Sequence, residues 1–283
     1  MIKVLKSGFY TTVQDTGRFG YRTYGVPVSG AMDSYSSQFA NALLGNKSED
    51  ALLEITMTGS KLQFLQPTII AISGADLSPI LNDKPVKMNA VLTIQNNDIL
   101  SFGKLKSGLR VYLAIKGGVL SNKILGSRSM YKVITHNHRI TDGDTLAYKS
   151  YIANLQKLNA NVKYNYTTLK NNTLEAYKGP EFNRLSRDVQ EQLLNSDFKV
   201  SKLNNRMAYQ LEPLFKNNLK QILTSPVLPG TVQLTPSGRL IVLMRDCQTT
   251  GGYPRVLQLT EKAISILSQK AIGKTLKIRL KVS

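Results

Sequence analysis

Short runs of apolar and β-branched residues, each closed by turn residues, recur from residue 61 to residue 148, and this spacing narrows the possible folds more than any other feature. The runs 61–64, 68–73, 90–94, 99–102, 110–115 and 145–148 span four to six residues each. They are too short for helices, and Gly, Pro, Asn and Asp cluster between them, as at Asn96-Asn97-Asp98 and Thr141-Asp142-Gly143-Asp144. Strands at this density predict a mainly β chain with a few helices, built as a barrel or sandwich instead of alternating βαβ units. One helix is predicted over 32–44, with Asp33 capping its start and Gly45-Asn46 ending it. Residues 151–172 are rich in Asn, Lys and Tyr and lack periodicity, so a domain boundary is placed at 155/156, giving regions 1–155 and 156–283. Beyond it, 186–195 and 259–269 have helical spacing, while 233–234, 240–244 and 275–282 read as strands.

Composition excludes several classes. Of 283 residues, 42% are hydrophobic, the level of a globular protein, and no window reaches the ~18 uninterrupted apolar residues of a membrane span. The first residues lack a secretory apolar core, so the expected location is cytoplasmic, with no membrane partner. A single cysteine, Cys247, permits no internal disulfide, and His136 and His138 with it make no zinc set, so no metal is expected. Cys247 reads as a small packed hydrophobe at a strand end. The formal charge of +19 raises nucleic acid as a partner. The lysines are scattered, however, and neither a helix-turn-helix nor an aromatic RNA-binding motif is present, so an acidic partner, an anionic substrate or solubility explains the charge instead.

Chemistry concentrates in Leu243-Met244-Arg245-Asp246-Cys247-Gln248-Thr249-Thr250-Gly251-Gly252-Tyr253-Pro254-Arg255. There an interior strand ends, polar donors and acceptors follow, and paired glycines let backbone approach a ligand. Gln14-Asp15-Thr16-Gly17-Arg18 carries similar ingredients, and Thr12-Val13-Gln14 is echoed by Thr231-Val232-Gln233, a faint sign of internal duplication. Ser73-Gly74-Ala75-Asp76 falls at an expected strand end. Gly117-Gly118 and Gly126-Ser127-Arg128-Ser129 offer backbone amides and a guanidinium suited to an anion. Glu54, inside an apolar run, reads as a paired or edge carboxylate instead of a general base. The stretch 268–275 nearly fits a phosphate-binding loop, but Ser268 replaces the first glycine and a strand, not a helix, is predicted to follow.

These segments together resemble the family known as allophanate hydrolase subunit 2, or biotin-dependent carboxyltransferase-like proteins, whose free-standing bacterial members are the C subunit of 5-oxoprolinase, also known as KipA. The resemblance runs through Thr11 to Arg18, Gly25-Val26-Pro27-Val28-Ser29-Gly30-Ala31-Met32-Asp33, Asn41 to Asn46, Ser73 to Asp76, Arg110 to Ala114, Gly126 to Ser129, Gly179-Pro180-Glu181, Asn205-Arg206-Met207 and Gln248 to Pro254. It implies tandem cyclophilin-like β-barrels and a chain that works as part of a hetero-oligomer. The implied partners are the B component of 5-oxoprolinase, a KipI-like protein, and its A component, a hydrolase; the implied cofactor is ATP with Mg, bound either by this chain or mainly by the partner. No biotin is attached to this chain, since it lacks the Met-Lys-Met acceptor. The implied reaction is ATP-driven opening of 5-oxoproline to L-glutamate, with a urea carboxylase carboxyltransferase or a non-catalytic regulator of the KipI-like component as alternatives. A polarised amide carbonyl and a bound anion suggest catalytic roles for Asp15, Arg18, Asp246 and Gln248, with substrate contacts from Asp76, Arg128, Thr249, Thr250, Gly251, Gly252 and Tyr253. The chain departs from the family pattern at Met130-Tyr131, where Thr-Asp is usual, and at Glu212, where glycine is usual.

Overall fold

The computed structural model describes residues 1–152 and 163–281. Two compact units divide the chain: Met1–Arg18 with Ser29–Leu169, and Phe19–Val28 with Lys170–Ser283. The expected boundary at 155/156, and part of the expected linker, lie outside the described residues.

In the first unit the strands form two sheets. One runs Thr145–Leu146, Ile2–Lys6, Lys61–Phe64, Ile99–Phe102, Pro79–Leu81, Lys84–Pro85; the other runs Tyr10–Gln14, Leu52–Thr56, Ser107–Ile115, Thr68–Asp76, Val91–Ile94. Alternation places Ile2, Val4, Leu62 and Phe64 of the first sheet against Leu53, Ile55, Ile72 and Val111 of the second in one buried core. The intervening residues Leu52, Ile69, Ala71, Tyr112 and Ala114 point the other way and pack with Ala40 and Leu44, from the helix Ser34–Leu43 and its end. Both faces of the two central strands are thus covered, which is why 68–73 and 110–115 read as continuous apolar runs. Asp33 caps that helix by accepting from Ser36 N at 3.1 Å, and at its other end Lys116 Nζ donates to Leu44 O at 2.7 Å.

Where the sequence predicts a strand end at Gly74-Ala75-Asp76, the strand continues through Asp76. Gly74 has φ 87° and lies where the pairing with Ser107–Ile115 shifts register. A bulge residue in the left-handed region favours glycine, and a turn and a bulge leave the same mark in sequence.

The second unit is a closed barrel in the order Thr173–Lys178, Arg255–Leu259, Thr231–Leu234, Leu240–Leu243, Ala208–Glu212, Phe198–Asn204, Thr275–Leu280. It closes through one parallel pairing, Leu174 opposite Ile278. Two helices, Arg187–Asn195 and Glu261–Ser268, begin at Ser186 and Thr260, whose hydroxyls accept from Val189 N and Ala263 N. Gly273 stops the segment after the second helix and the strand Thr275–Leu280 follows, so the near-fit to a phosphate loop is a helix exit. The mainly β reading holds. The echo between Thr12-Val13-Gln14 and Thr231-Val232-Gln233 does not mark equivalent sheet positions, since Tyr10–Gln14 is an edge strand and Thr231–Leu234 is paired on both sides. No described helix is long and apolar enough to cross a membrane.

Candidate functional site

In the first unit, the loop after Tyr10–Gln14 is tied to residues 124–129. Ile124 and Ser127 exchange backbone hydrogen bonds at 2.8 and 3.2 Å, with Leu125 at φ 52° and Gly126 at φ 78° between them, the geometry of a type I′ turn. Asp15 fills the arch that follows. Its Oδ1 accepts from Gly17 N at 2.8 Å, Ser127 Oγ at 2.6 Å and Ser129 Oγ at 2.6 Å, and its Oδ2 from Arg128 N at 2.6 Å. Of the backbone amides expected to hold an anion, that of Arg128 is thus taken by the protein's own carboxylate. With four donors on a buried side chain, Asp15 holds the arch. Arg18, 1% exposed, likewise faces inward, donating to Ile124 O and Ser129 O. What the arch presents is Arg128, half-buried, whose guanidinium has no hydrogen-bond or ion-pair partner among the described residues.

Glu54 is paired, as expected: it accepts from Met32 N at 2.7 Å and Tyr112 Oη at 3.0 Å and lies 3.6 Å from Arg110 Nε. Burial, with the Glu54 charge beside it, pushes the Tyr112 hydroxyl well above the ordinary tyrosine range. Asp76 lines a separate cleft of about 480 Å³ within the first unit, beside Asn89, Lys87 and Lys106. There its Oδ1 accepts from Ser78 N at 2.8 Å.

In the second unit a cleft of about 430 Å³ opens on the outside of the barrel wall. Its floor is a cross-strand row: Gln210 pairs with Ile241, and Ile241 pairs with Gln233. Alternation points these three away from the buried Tyr209, Val242 and Val232. Gln248 and Tyr253 form one side; Lys202, Asn204 and Asn205 form another. Gln233 reaches the backbone of Tyr253 through Nε2 at 3.5 Å, and a Cβ on Gly251 would lie 2.5 Å from that nitrogen. Gly251 is therefore small to admit Gln233, a neighbour in the fold and not a ligand.

Two ion pairs hold the wall. Arg206 grips Asp246 through two contacts, Nε to Oδ2 at 2.8 Å and Nη2 to Oδ1 at 3.1 Å, so Asp246 is held as the counter-ion of a buried arginine. Arg255 is held by Glu181 at 2.9 and 3.1 Å, and this guanidinium keeps the Glu181 carboxyl below its usual range. Arg22, from 19–28, donates to Val227 O and, at 3.2 Å, to Thr249 O. Thr250 and Gly251 pair with Pro226 and Ser225, and Gly252 O accepts from Ile222 N at 3.0 Å, so residues 249–252 form the backing of the wall. Gln248 is the exception. Its Oε1 is shielded from solvent without a partner, and its side chain makes no hydrogen bond within the described residues. A buried acceptor left open beside a cleft marks a place where a donor is wanted.

Cys247 packs with Val227 and Leu243, and burial pushes its thiol up to about 11. At pH 8 the thiolate is scarce as well as covered. A disulfide reagent is expected to label native protein at least on the order of a hundredfold more slowly than urea-unfolded protein; equal rates would put the cysteine at an accessible reactive site. Among the described residues no group of His, Cys, Asp and Glu could hold a metal ion.

Sequence reasoning found Gln248 and Tyr253 but missed Lys202, Gln210 and Gln233, which reach them only through barrel register. It also missed Arg22. Arg206 stands in the Asn205-Arg206-Met207 motif, but its partner Asp246 is 40 positions away.

With this architecture in place, comparison identifies the class: the chain belongs to the family described as carboxyltransferase domain, subdomain A and B, matched over residues 24–280. More particularly, it is 32% identical to the 5-oxoprolinase C subunit of Escherichia coli, over 96% of this chain and 89% of that protein. It is 47% identical to the urea amidolyase of Lachancea kluyveri over 130 residues, which cover 46% of this chain and 7% of that protein. The crystal structure of Kluyveromyces lactis urea carboxylase superposes with a TM-score of 0.88 at 30% identity, covering 98% of this chain and 27% of that one.

Proposed function

We propose that this chain is the C subunit of an ATP-dependent 5-oxoprolinase, which with a KipI-like B component prepares 5-oxoproline for ring opening and with a hydrolase A component yields L-glutamate. The observation that carries this reading is the end-to-end likeness to a free-standing 5-oxoprolinase C subunit; in the urea enzymes the matching segment is a small part of a much longer chain. The carboxamide-lined cleft supports it, because Gln, Asn and Tyr side chains pair with an amide's N–H and C=O without carrying charge themselves.

This chain's share of the work is to bind and orient the amide, with Gln248 supplying an acceptor that lacks a donor. Neither segment that suggested a phosphate site favours one: the amides of Ile124, Ser127, Arg128 and Ser129 are engaged within the protein, and Gly273-Lys274-Thr275 leads into a strand. ATP and its Mg are therefore assigned to the KipI-like component, and no phosphoryl transfer is routed through this chain.

The local identity to a urea amidolyase favours carboxyl transfer to urea as the second reading. ATP hydrolysis by the chain mixed with the KipI-like component, with 5-oxoproline or urea added in turn, separates the two. Stimulation by 5-oxoproline, with glutamate released once the hydrolase component is present, is the expected result. A stable complex that answers to neither compound would leave a regulator of the KipI-like component.

A further inference from the structure

Among the described residues lining the cleft of the second unit, Lys202 is the one charged side chain; none is a carboxylate or a histidine. Five carboxamides, Asn204, Asn205, Gln210, Gln233 and Gln248, supply the rest of its polarity together with Tyr253. Leu203, Met207, Ile241 and Leu243 give it apolar surface. Lys202 itself has no hydrogen-bond or ion-pair partner among the described residues, and neither do the side chains of Gln210 and Tyr253.

We infer that this cleft selects a small amide bearing one negative charge and no positive charge, and that Lys202 is the residue that reads the charge. The inference rests on the amide-activating reading above and names its substrate class. Carboxamides present donor and acceptor side by side, matching a lactam's N–H and C=O. The apolar residues take ring methylenes, and Lys202 takes the carboxylate. The same composition rejects an amino acid: a ligand ammonium finds no carboxylate in the cleft and is repelled by Lys202. Hydrolysis converts the lactam C–N bond into a carboxylate and an ammonium, so the product keeps a carboxylate for Lys202 but loses the uncharged amide that the carboxamides match and gains an ammonium with no counter-ion in the cleft.

The segment that carries Lys202 is pre-set. The pairing of Phe198–Asn204 with Ala208–Glu212 shifts register between Val200 and Asn204, and such irregularities re-aim side chains at sites. Asn204 Nδ2 donates to Ser201 O at 2.7 Å, and Asn205 Oδ1 accepts from Met207 N at 2.7 Å and Ala208 N at 3.1 Å. These local bonds fix the turn from which lysine and carboxamides reach the cleft.

Equilibrium binding of 5-oxoproline, 2-pyrrolidinone and L-glutamate to the full chain, alone and with the KipI-like component, tests this. The wild type is expected to bind 5-oxoproline about three- to fivefold more tightly than 2-pyrrolidinone, the size of one exposed charge contact, and more tightly than L-glutamate, which no longer offers an amide to the carboxamides. Lys202→Met should remove that preference by weakening 5-oxoproline about three- to fivefold with 2-pyrrolidinone unchanged, Lys202→Arg should restore it, and Lys202→Glu should weaken 5-oxoproline further. Lys202 is exposed on the barrel, so an unchanged melting temperature is expected for each variant. Unaltered 5-oxoproline affinity in Lys202→Met, or a wild type indifferent to ligand charge, overturns the inference. Binding requires no ATP turnover: charge preference without stimulated ATP hydrolysis sinks the 5-oxoprolinase reading alone, and stimulated hydrolysis with a charge-blind cleft sinks this inference alone.

Discussion

Replacing Asp15 by alanine is expected to destabilise the protein by about 3–5 kcal/mol, read as a fall in the urea midpoint at constant m-value. Four donors converge on this carboxylate, Gly17 N, Ser127 Oγ, Arg128 N and Ser129 Oγ, all within 2.8 Å. A buried donor left without its acceptor costs about 1–3 kcal/mol, and neighbouring losses are not fully additive because the arch relaxes. Asp15→Asn should cost less. It preserves an oxygen for the three donors on Oδ1 but turns an NH₂ group toward Arg128 N. A general base would behave differently, since the asparagine would fold normally and lose turnover. If Asp15→Ala unfolds within about 1 kcal/mol of wild type, Asp15 does not hold the arch and its assignment returns to chemistry.

Asp15 shows how little of a carboxylate's setting local sequence carries. Beside glycines and after a strand, a carboxylate looks the same whether it faces substrate or backbone. The difference lies in partners 112 to 114 positions away for Ser127, Arg128 and Ser129, and local spacing carries no trace of them. The strands read from sequence were legible because their physics is local: the short run 61–64, the continuous apolar runs 68–73 and 110–115, and the cap at Asp33 all appear within a few residues. The bulge at Gly74 and the row Gln210, Ile241, Gln233 were not legible, because register between strands fixes them. A lysine before two asparagines at 202–205 reads as an ordinary solvated turn. Only the barrel brings it to Gln248.

Breaking the Arg206–Asp246 pair from one side is expected to cost as much as losing Asp15, about 3–5 kcal/mol, because the surviving charge stays buried without its counter-ion. Both side chains are less than a tenth exposed, and the two contacts measure 2.8 and 3.1 Å. The backbone of Asp246 is also tied to this arginine, donating from N to Arg206 O at 2.9 Å. The pair therefore fixes residue 246 to residue 206, the first just ahead of Gln248 and the second next to Asn205, so both sides of the cleft share one anchor. Asp246→Ala should consequently lower stability and amide binding together. Replacing both residues, Arg206→Met with Asp246→Leu, should recover much of the stability, since an apolar pair of similar bulk leaves no stranded charge. Binding should recover with it if Asp246 acts only through position. A double variant that is stable and keeps its cleft geometry, yet no longer binds 5-oxoproline, would show that the carboxylate meets substrate directly.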